Sequence, residues 1–230
     1  MGSAGYIALA VLGIAVSAVM WSRMARQDAR LPLIYLFALA GALVGAKLIY
    51  FLAEGWWELG HPDLVRRLLA GKTILGGLLL GYGSVELAKH CLGYRQPTGD
   101  WFALMVPVSL MLGRLGCWCQ GCCPGAVLPP AWYTMTDRTG VSRWPAVPME
   151  FGFNAAALIV LTFLWRQRKF PGQLFHLYLM GYGAFRFLHE FLRDTPRLVG
   201  GLSGYHWAAL AVFGLGALRY RQHARDPQVC

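Results

Sequence analysis

Four thiols crowd into the stretch GRLGCWCQGCCPG, residues 113–125: Cys117, Cys119, Cys122 and Cys123. Arg114 stands three positions before the first of them, at the end of a long apolar run. Further on, Arg186, Glu190 and Arg193 recur at i, i+4 and i+7, a spacing that predicts one face of a helix. An arginine carries a planar fork of donors matched to phosphate oxygens, so the trio reads as an anion site for a lipid phosphate, with Glu190 orienting the two arginines. The same spacing also suits a salt-bridged seam that holds helices together. The thiols allow several chemistries. Cys119 and Cys122 can close a disulfide that staples a loop. A thiolate favoured by Arg114 can do redox or thiol-relay chemistry. No metal site is assigned, because structural zinc sites usually draw ligands from two separated pairs and this is one crowded cluster. No cofactor is expected.

The surroundings of these groups decide where such chemistry takes place. The chain has 230 residues, 57% hydrophobic and 14% charged, where a soluble domain carries about 25% charged residues. Long uncharged runs predict an all-α membrane protein of seven transmembrane helices, at about 4–22, 32–53, 73–91, 101–119, 147–165, 172–192 and 203–220. The first run reads as a span rather than a signal peptide, since no Lys or Arg precedes it and no small-x-small site follows. The net charge of +10 does not point to nucleic acid, because it is spread over loops between the runs. Lys and Arg are more frequent in alternate loops, with Arg23, Arg26 and Arg30 in the first and Arg219, Arg221 and Arg225 in the tail. That bias predicts the N-terminus outside, the C-terminus in the cytoplasm, and the cysteine cluster at the outer end of the fourth span. The chain reads as a single transmembrane domain over 1–230, with the proline-bearing segment 120–146 as an outer-face loop covering the site.

Basic groups inside predicted spans mark function or ion pairing, because a bare charge in hydrocarbon is costly. They are Lys47, Arg114 and Arg186. Lys47 and Arg114 also lie near enough to the outer face to snorkel. Gly41-x-x-x-Gly45 and Gly77-x-x-x-Gly81 read as close helix contacts. Glu86 reads as structural, Cys91 and Cys230 as inert, and His61, His90, His176 and His223 as interfacial or solvated.

Five segments resemble, in order, those of bacterial prolipoprotein diacylglyceryl transferases. GALVGAKLIY (41–50) is similar to the family's GAxxGARLxY, with Lys47 for its Arg, and GKTILGGLLLG (71–81) to its SxHGGLxG. GRLGCWCQGCCPG sits where the family has GRxGNFxNxE, and AVPMEFGFN (146–154) resembles HPxQLYE. YGAFRFLHEFLRDTP (182–196) resembles YGxxRFxxEFxRxPD most specifically. The resemblance implies a seven-helix inner-membrane transferase with a periplasmic active face. Such an enzyme moves the diacylglyceryl group of phosphatidylglycerol, or another anionic phospholipid, onto a cysteine thiol of a prolipoprotein, and glycerol phosphate leaves. It implies catalytic roles for Arg114, Arg186 and Glu190 around the phosphate, and substrate contacts for Lys47, Gly76, Gly77, Glu150 and Arg193.

The departures from the family pattern are equally specific. Leu75 replaces the histidine of HGG, and leucine neither accepts a proton nor donates a hydrogen bond. Cys117 and Gln120 replace two asparagines, and the family's head region shrinks to the 120–146 loop. His189, His206 and Glu150 are the candidates to replace the lost base. The pattern GRxGCxxxGCCxG resembles a variant in which the cluster takes over the asparagine chemistry. This leaves two alternatives to ordinary transfer: redox or sulfur-transfer chemistry on another acceptor, and lipid binding without catalysis.

Overall fold

A computed structural model describes residues 2–60, 62–65, 68 and 71–225, and His61 and Cys230 lie outside them. Seven long helices run through the described residues: α1 (Gly2–Ala25), α2 (Leu31–Ala53), α3 (Ile74–Cys91), α4 (Gly99–Gln120), α5 (Ala146–Arg166), α6 (Leu174–Glu190) and α7 (Gly204–Arg225). They coincide with the seven apolar runs. Three of them, α2, α4 and α5, are each long and apolar enough to cross a membrane. The helices pack as α2 on α3, α6 on α7, and α4 on α1, α5 and α6.

The large and small side chains are sorted as lipid demands. On α2, Leu43 and Val44 are 70% and 60% exposed, while Ala38, Gly41 and Gly45 are buried. On α5, Ile159, Val160 and Phe163 face outward, and Glu150 and Asn154 are fully buried. A water-soluble bundle shows the reverse order. Small residues therefore form the α2–α3 seam, as the GxxxG spacing predicts. The partner of Gly45 is Gly76, so close that a Cβ on either would meet the other's carbonyl oxygen. The close approach that Gly76 permits is thus made to α2. Gly77 stands off, 3.5 Å from the carbonyl of Ala42 for a built Cβ.

Polar contacts fix the helix ends. Asp100, in the first turn of α4, accepts from the N–H groups of Gly172 (2.8 Å) and Leu174 (3.2 Å), tying α4 to the start of α6. Lys47 donates to the carbonyls of Leu68 (2.9 Å) and Gly71 (2.8 Å), which anchors the segment between α2 and α3. Glu86 pairs with Lys89 at 3.5 Å.

Two of the sequence expectations fail at α6 and the turn after it. His176 is 4% exposed rather than solvated, and its Nε2 lies 3.1 Å from the hydroxyl of Tyr82. The cause is its position on the face of α6 that packs on α7. Arg193 does not share a helical face with Arg186, because α6 ends at Glu190 and the chain turns. The Arg193 N–H closes that turn on the carbonyl of Glu190 at 3.2 Å. The change Gly76→Ala is expected to destabilise the protein by about 1–3 kcal/mol, because backbone faces backbone there and neither side can yield. Thermal unfolding in detergent reads this directly; an unchanged midpoint means that α2 and α3 do not meet at Gly45 and Gly76.

Candidate active site

Glu150 is the centre of the buried polar residues. It lies on the first turns of α5 and is fully buried. Its Oε2 is 2.7 Å from Arg114 Nη2 on α4, 3.5 Å from Arg186 Nη1 on α6, and 4.0 Å from Arg193 Nη1 beyond α6. Tyr182 donates to its Oε1 at 2.8 Å. Glu190 completes the cage, with Oε2 2.8 Å from Arg186 Nη2 and 3.8 Å from Arg193 Nε. Its Oε1 accepts from Thr195 (2.7 Å) and Ser203 (3.3 Å). A second row supports the first: Asn154 donates to the Glu150 carbonyl and accepts from Tyr178, both at 2.8 Å.

Three guanidinium groups against two carboxylates leave one formal positive charge. Burying such a set costs several kcal/mol per ion before pairing restores it. The pairing here is incomplete. Arg114 Nε and both Arg193 Nε and Nη1 are buried donors with no hydrogen-bond partner. These arginines, 8% and 14% exposed, have donors to spare for an anion carrying several oxygens. Snorkelling of Arg114 is excluded by its 2.7 Å pairing with Glu150.

The segment after α4 holds Arg193 in place. Within 120–146 it contains the hairpin β1 (Met135–Thr136) and β2 (Ser142–Arg143). Gly125 bridges to Arg193 and Val127 to Arg143, so the strip 125–127 lies between the chain that carries Arg193 and the hairpin. Only glycine suits position 125, where a Cβ would run into the carbonyl of Trp144. The hairpin is closed by Asp137, which accepts from Thr139 Oγ1 (2.6 Å), Val141 N–H (3.0 Å) and Arg143 Nε (2.7 Å). Those bonds hold its carboxyl below the ordinary carboxylate value of 3.8, the Thr139 hydroxyl contributing most.

Three of the four clustered thiols come together, and they are not the pair expected. Gly121 takes the left-handed conformation at the end of α4 (φ 66°), and Cys122 N–H then bonds the Cys117 carbonyl at 3.1 Å. This helix stop sets the residue after the glycine against the one five positions earlier. Cys122 therefore meets Cys117 rather than Cys119. Cys123, itself left-handed (φ 61°), turns back toward both, and its Sγ lies 3.9 Å from Cys122 Sγ. The Sγ atoms of Cys117, Cys122 and Cys123 all lie within 4.8 Å of one another. Cys119 is exposed, and Arg138 Nη2 takes its carbonyl at 2.6 Å. All four are free thiols. Hydrogen bonds from Cys117 and Cys122, and then Arg114 and Arg193, hold Cys123 below the ordinary thiol range. The bonds with Cys117 and Cys123 push Cys122 up.

The candidates for the missing base fare worse. Glu150 is committed to three arginines. His189 Nδ1 lies 3.4 Å from Arg186 Nη1, a group that only donates, so Nδ1 accepts and the proton sits on Nε2. His206 Nδ1 accepts from Ser203 N–H at 3.0 Å, which also leaves its proton on Nε2. Both Nε2 atoms are buried without a partner. Leu75 is 1% exposed and packs in the apolar core with Ala53, Leu78 and Tyr205. Tyr182, Asn154, Thr195 and Ser203 were not singled out by sequence. Tyr182 and Asn154 had a signal, standing one helical turn from Arg186 and Glu150.

The fold and the cage define a class: an α-helical membrane protein with a buried, arginine-rich, carboxylate-braced polar centre. The sequence model of the prolipoprotein diacylglyceryl transferase family matches residues 4–220. The chain is also similar to the phosphatidylglycerol–prolipoprotein diacylglyceryl transferases of Bordetella parapertussis and Bordetella avium. It is 30% identical to the first over 83% of this chain and 77% of that one, and 31% identical to the second over 83% and 78%. The enzyme of the same name from Cupriavidus metallidurans is 28% identical over 79% of this chain and 71% of that one. The chain belongs to the prolipoprotein diacylglyceryl transferase family, a family of membrane transferases.

The change Glu150→Gln leaves three guanidinium groups with Glu190 as the one remaining carboxylate of the cage, and a loss of about 3–5 kcal/mol is expected in detergent unfolding. Retained stability would mean the arginines reach solvent. The Asp137 contribution to loop order is complete above the ordinary Asp range, near pH 4, and fades as pH falls through the lowered native value. Amide protection at Thr139 and Val141 is therefore expected to hold from neutral pH to about 4 and drop below it. In Asp137→Asn that protection is weaker and flat with pH; a titration unchanged by the substitution refutes the assignment.

Proposed function

We propose that this chain moves the diacylglyceryl group of phosphatidylglycerol to a cysteine thiol of a prolipoprotein, releasing glycerol phosphate. The observation that carries the reading is the cage itself: three arginines around two carboxylates, with unused buried donors on Arg114 and Arg193 and one net positive charge. A phosphodiester carries one negative charge and two free oxygens. Arg114 and Arg193 take those oxygens, Arg186 braces the pair through both carboxylates, and charge growing on the departing phosphate side meets donors already in place. Glu150 and Glu190 are positioning residues that keep the forks aimed. The lipid tails lie along the apolar faces of the bundle.

In the full arrangement proposed here, all seven helices span a bacterial inner membrane as one domain. The N-terminus is outside, the C-terminus is cytoplasmic, and residues 120–146 cover the site on the periplasmic face. The partners are then an anionic phospholipid and a thiol-bearing protein. Redox or sulfur transfer on another acceptor, and lipid binding without catalysis, find no support in the relatives named above, all of which carry the transferase name.

The test uses purified protein, phosphatidylglycerol vesicles and a lipobox peptide, with peptide mass as the readout. A diacylglyceryl mass gain is expected with the wild type, and a loss of at least about 100-fold in rate with Arg114→Ala, the scale of removing one aligned donor from a developing anion. No gain with folded wild-type protein sinks the transferase reading.

A further inference from the structure

A transferase that alkylates a thiol must first make the thiolate. The resemblance sets Leu75 where the family's HGG has its histidine, and Leu75 is sealed in the core. None of the three side chains that the sequence offers in its place presents a free basic atom: Glu150 is held by arginines, and His189 and His206 present N–H groups. The unexplained feature beside the cage is the thiol triad.

We infer that Cys117, Cys122 and Cys123 hold a zinc ion whose fourth position takes the acceptor thiol as a thiolate. This rests on the transferase reading above and names the group that activates its acceptor. The geometry carries it. Tetrahedral zinc with Zn–S bonds near 2.3 Å separates its sulfurs by about 3.8 Å. The Cys122–Cys123 separation is 3.9 Å, and all three sulfurs lie within 4.8 Å, so a small contraction closes the site. The backbone that gathers them is specific: a left-handed Gly121 that folds Cys122 onto Cys117, then a left-handed Cys123. A left-handed non-glycine residue is uncommon and marks a position the surroundings enforce. Three protein ligands leave one position open, the arrangement of catalytic rather than structural zinc. Cys119 does not fill it, since it is exposed and its carbonyl is tied to Arg138.

The location fits the reaction. Cys117 stands one helical turn from Arg114 on the same face of α4, and Arg114 and Arg193 lie within electrostatic range of Cys123. The carbon to be attacked is one bond from the phosphate ester oxygen that the arginines face. The acceptor thiol binds zinc and releases its proton to water. The bound sulfur then forms a C–S bond to the glyceryl carbon, and the C–O bond to phosphate breaks. The electron pair leaves on the phosphate oxygen, whose charge the arginines receive. No electrons are exchanged with the metal. The product is a thioether, which binds zinc weakly and is released.

The test is cobalt(II) substitution of the full-length protein, purified under reducing conditions in detergent. Wild type and Cys119→Ser are expected to bind one equivalent, with thiolate-to-cobalt charge-transfer bands and visible bands of tetrahedral intensity. Zinc is expected to displace the cobalt. Adding a lipobox peptide is expected to shift the visible bands, while its Cys→Ser counterpart leaves them unchanged. Cys117→Ser, Cys122→Ser and Cys123→Ser are each expected to lose at least about 100-fold in cobalt affinity, the upper range seen when support of a metal site is removed. Unfolding midpoints near wild type show that those variants are folded. Absence of thiolate bands in the wild type, a disulfide within the triad, or bands indifferent to the peptide thiol each overturns the inference. Transfer by metal-free protein overturns it while leaving the transferase reading intact. A peptide-responsive metal site without lipid transfer does the opposite.

Discussion

One carboxylate, Glu150, ties α4, α5 and α6 together. Three helices and the turn after one of them meet at it: α5 carries Glu150, Arg114 arrives from α4, Arg186 from α6, and Arg193 from the turn that follows α6. Each arginine would be prohibitive alone in an apolar interior, and so would the glutamate. Together they are tolerable because one negative oxygen is shared among three forks and a second carboxylate, Glu190, closes the far side. The compensation stops one charge short. That shortfall is what the proposed anion site rests on.

Everything around the cage limits how it can relax. Tyr182, Tyr178 and Asn154 form a hydrogen-bonded row that fixes Glu150 from behind. Thr195 and Ser203 do the same for Glu190. The hairpin segment holds Arg193 through the Gly125 bridge, so an element outside the helices sets the third guanidinium. A preorganised set of donors needs no rearrangement when charge develops nearby. Rigidity in the second row is therefore part of the site's chemistry rather than incidental packing.

The thiol triad is a separate device with a backbone cause. A helix that ends on glycine in the left-handed region brings the residue after that glycine beside the residue five positions before it. In the order C-W-C-Q-G-C-C this rule selects Cys117 for Cys122 and leaves Cys119 outside. The pairing that spacing alone suggests, C-x-x-C, ignores the helix stop and so selects the wrong partner.

By itself the sequence determined the seven helices, since long apolar runs broken by polar and turn-forming segments set their bounds. It also determined the family, through GRLG and YGAFRFLHEFLR, and the arginines, since charge inside an apolar run stands out on inspection. Tertiary structure alone decided which groups those arginines meet. No spacing rule links Arg114 to Glu150, because they lie on different helices joined by a long segment. Nor did spacing show that Arg193 leaves the helix and is returned to the cage by the bridge to Gly125. The histidines were legible as candidate bases, but their proton positions follow from neighbours, Arg186 for His189 and the Ser203 amide for His206. Sequence records what each residue can do along its own helix; contacts between helices, set by packing, decide what it does.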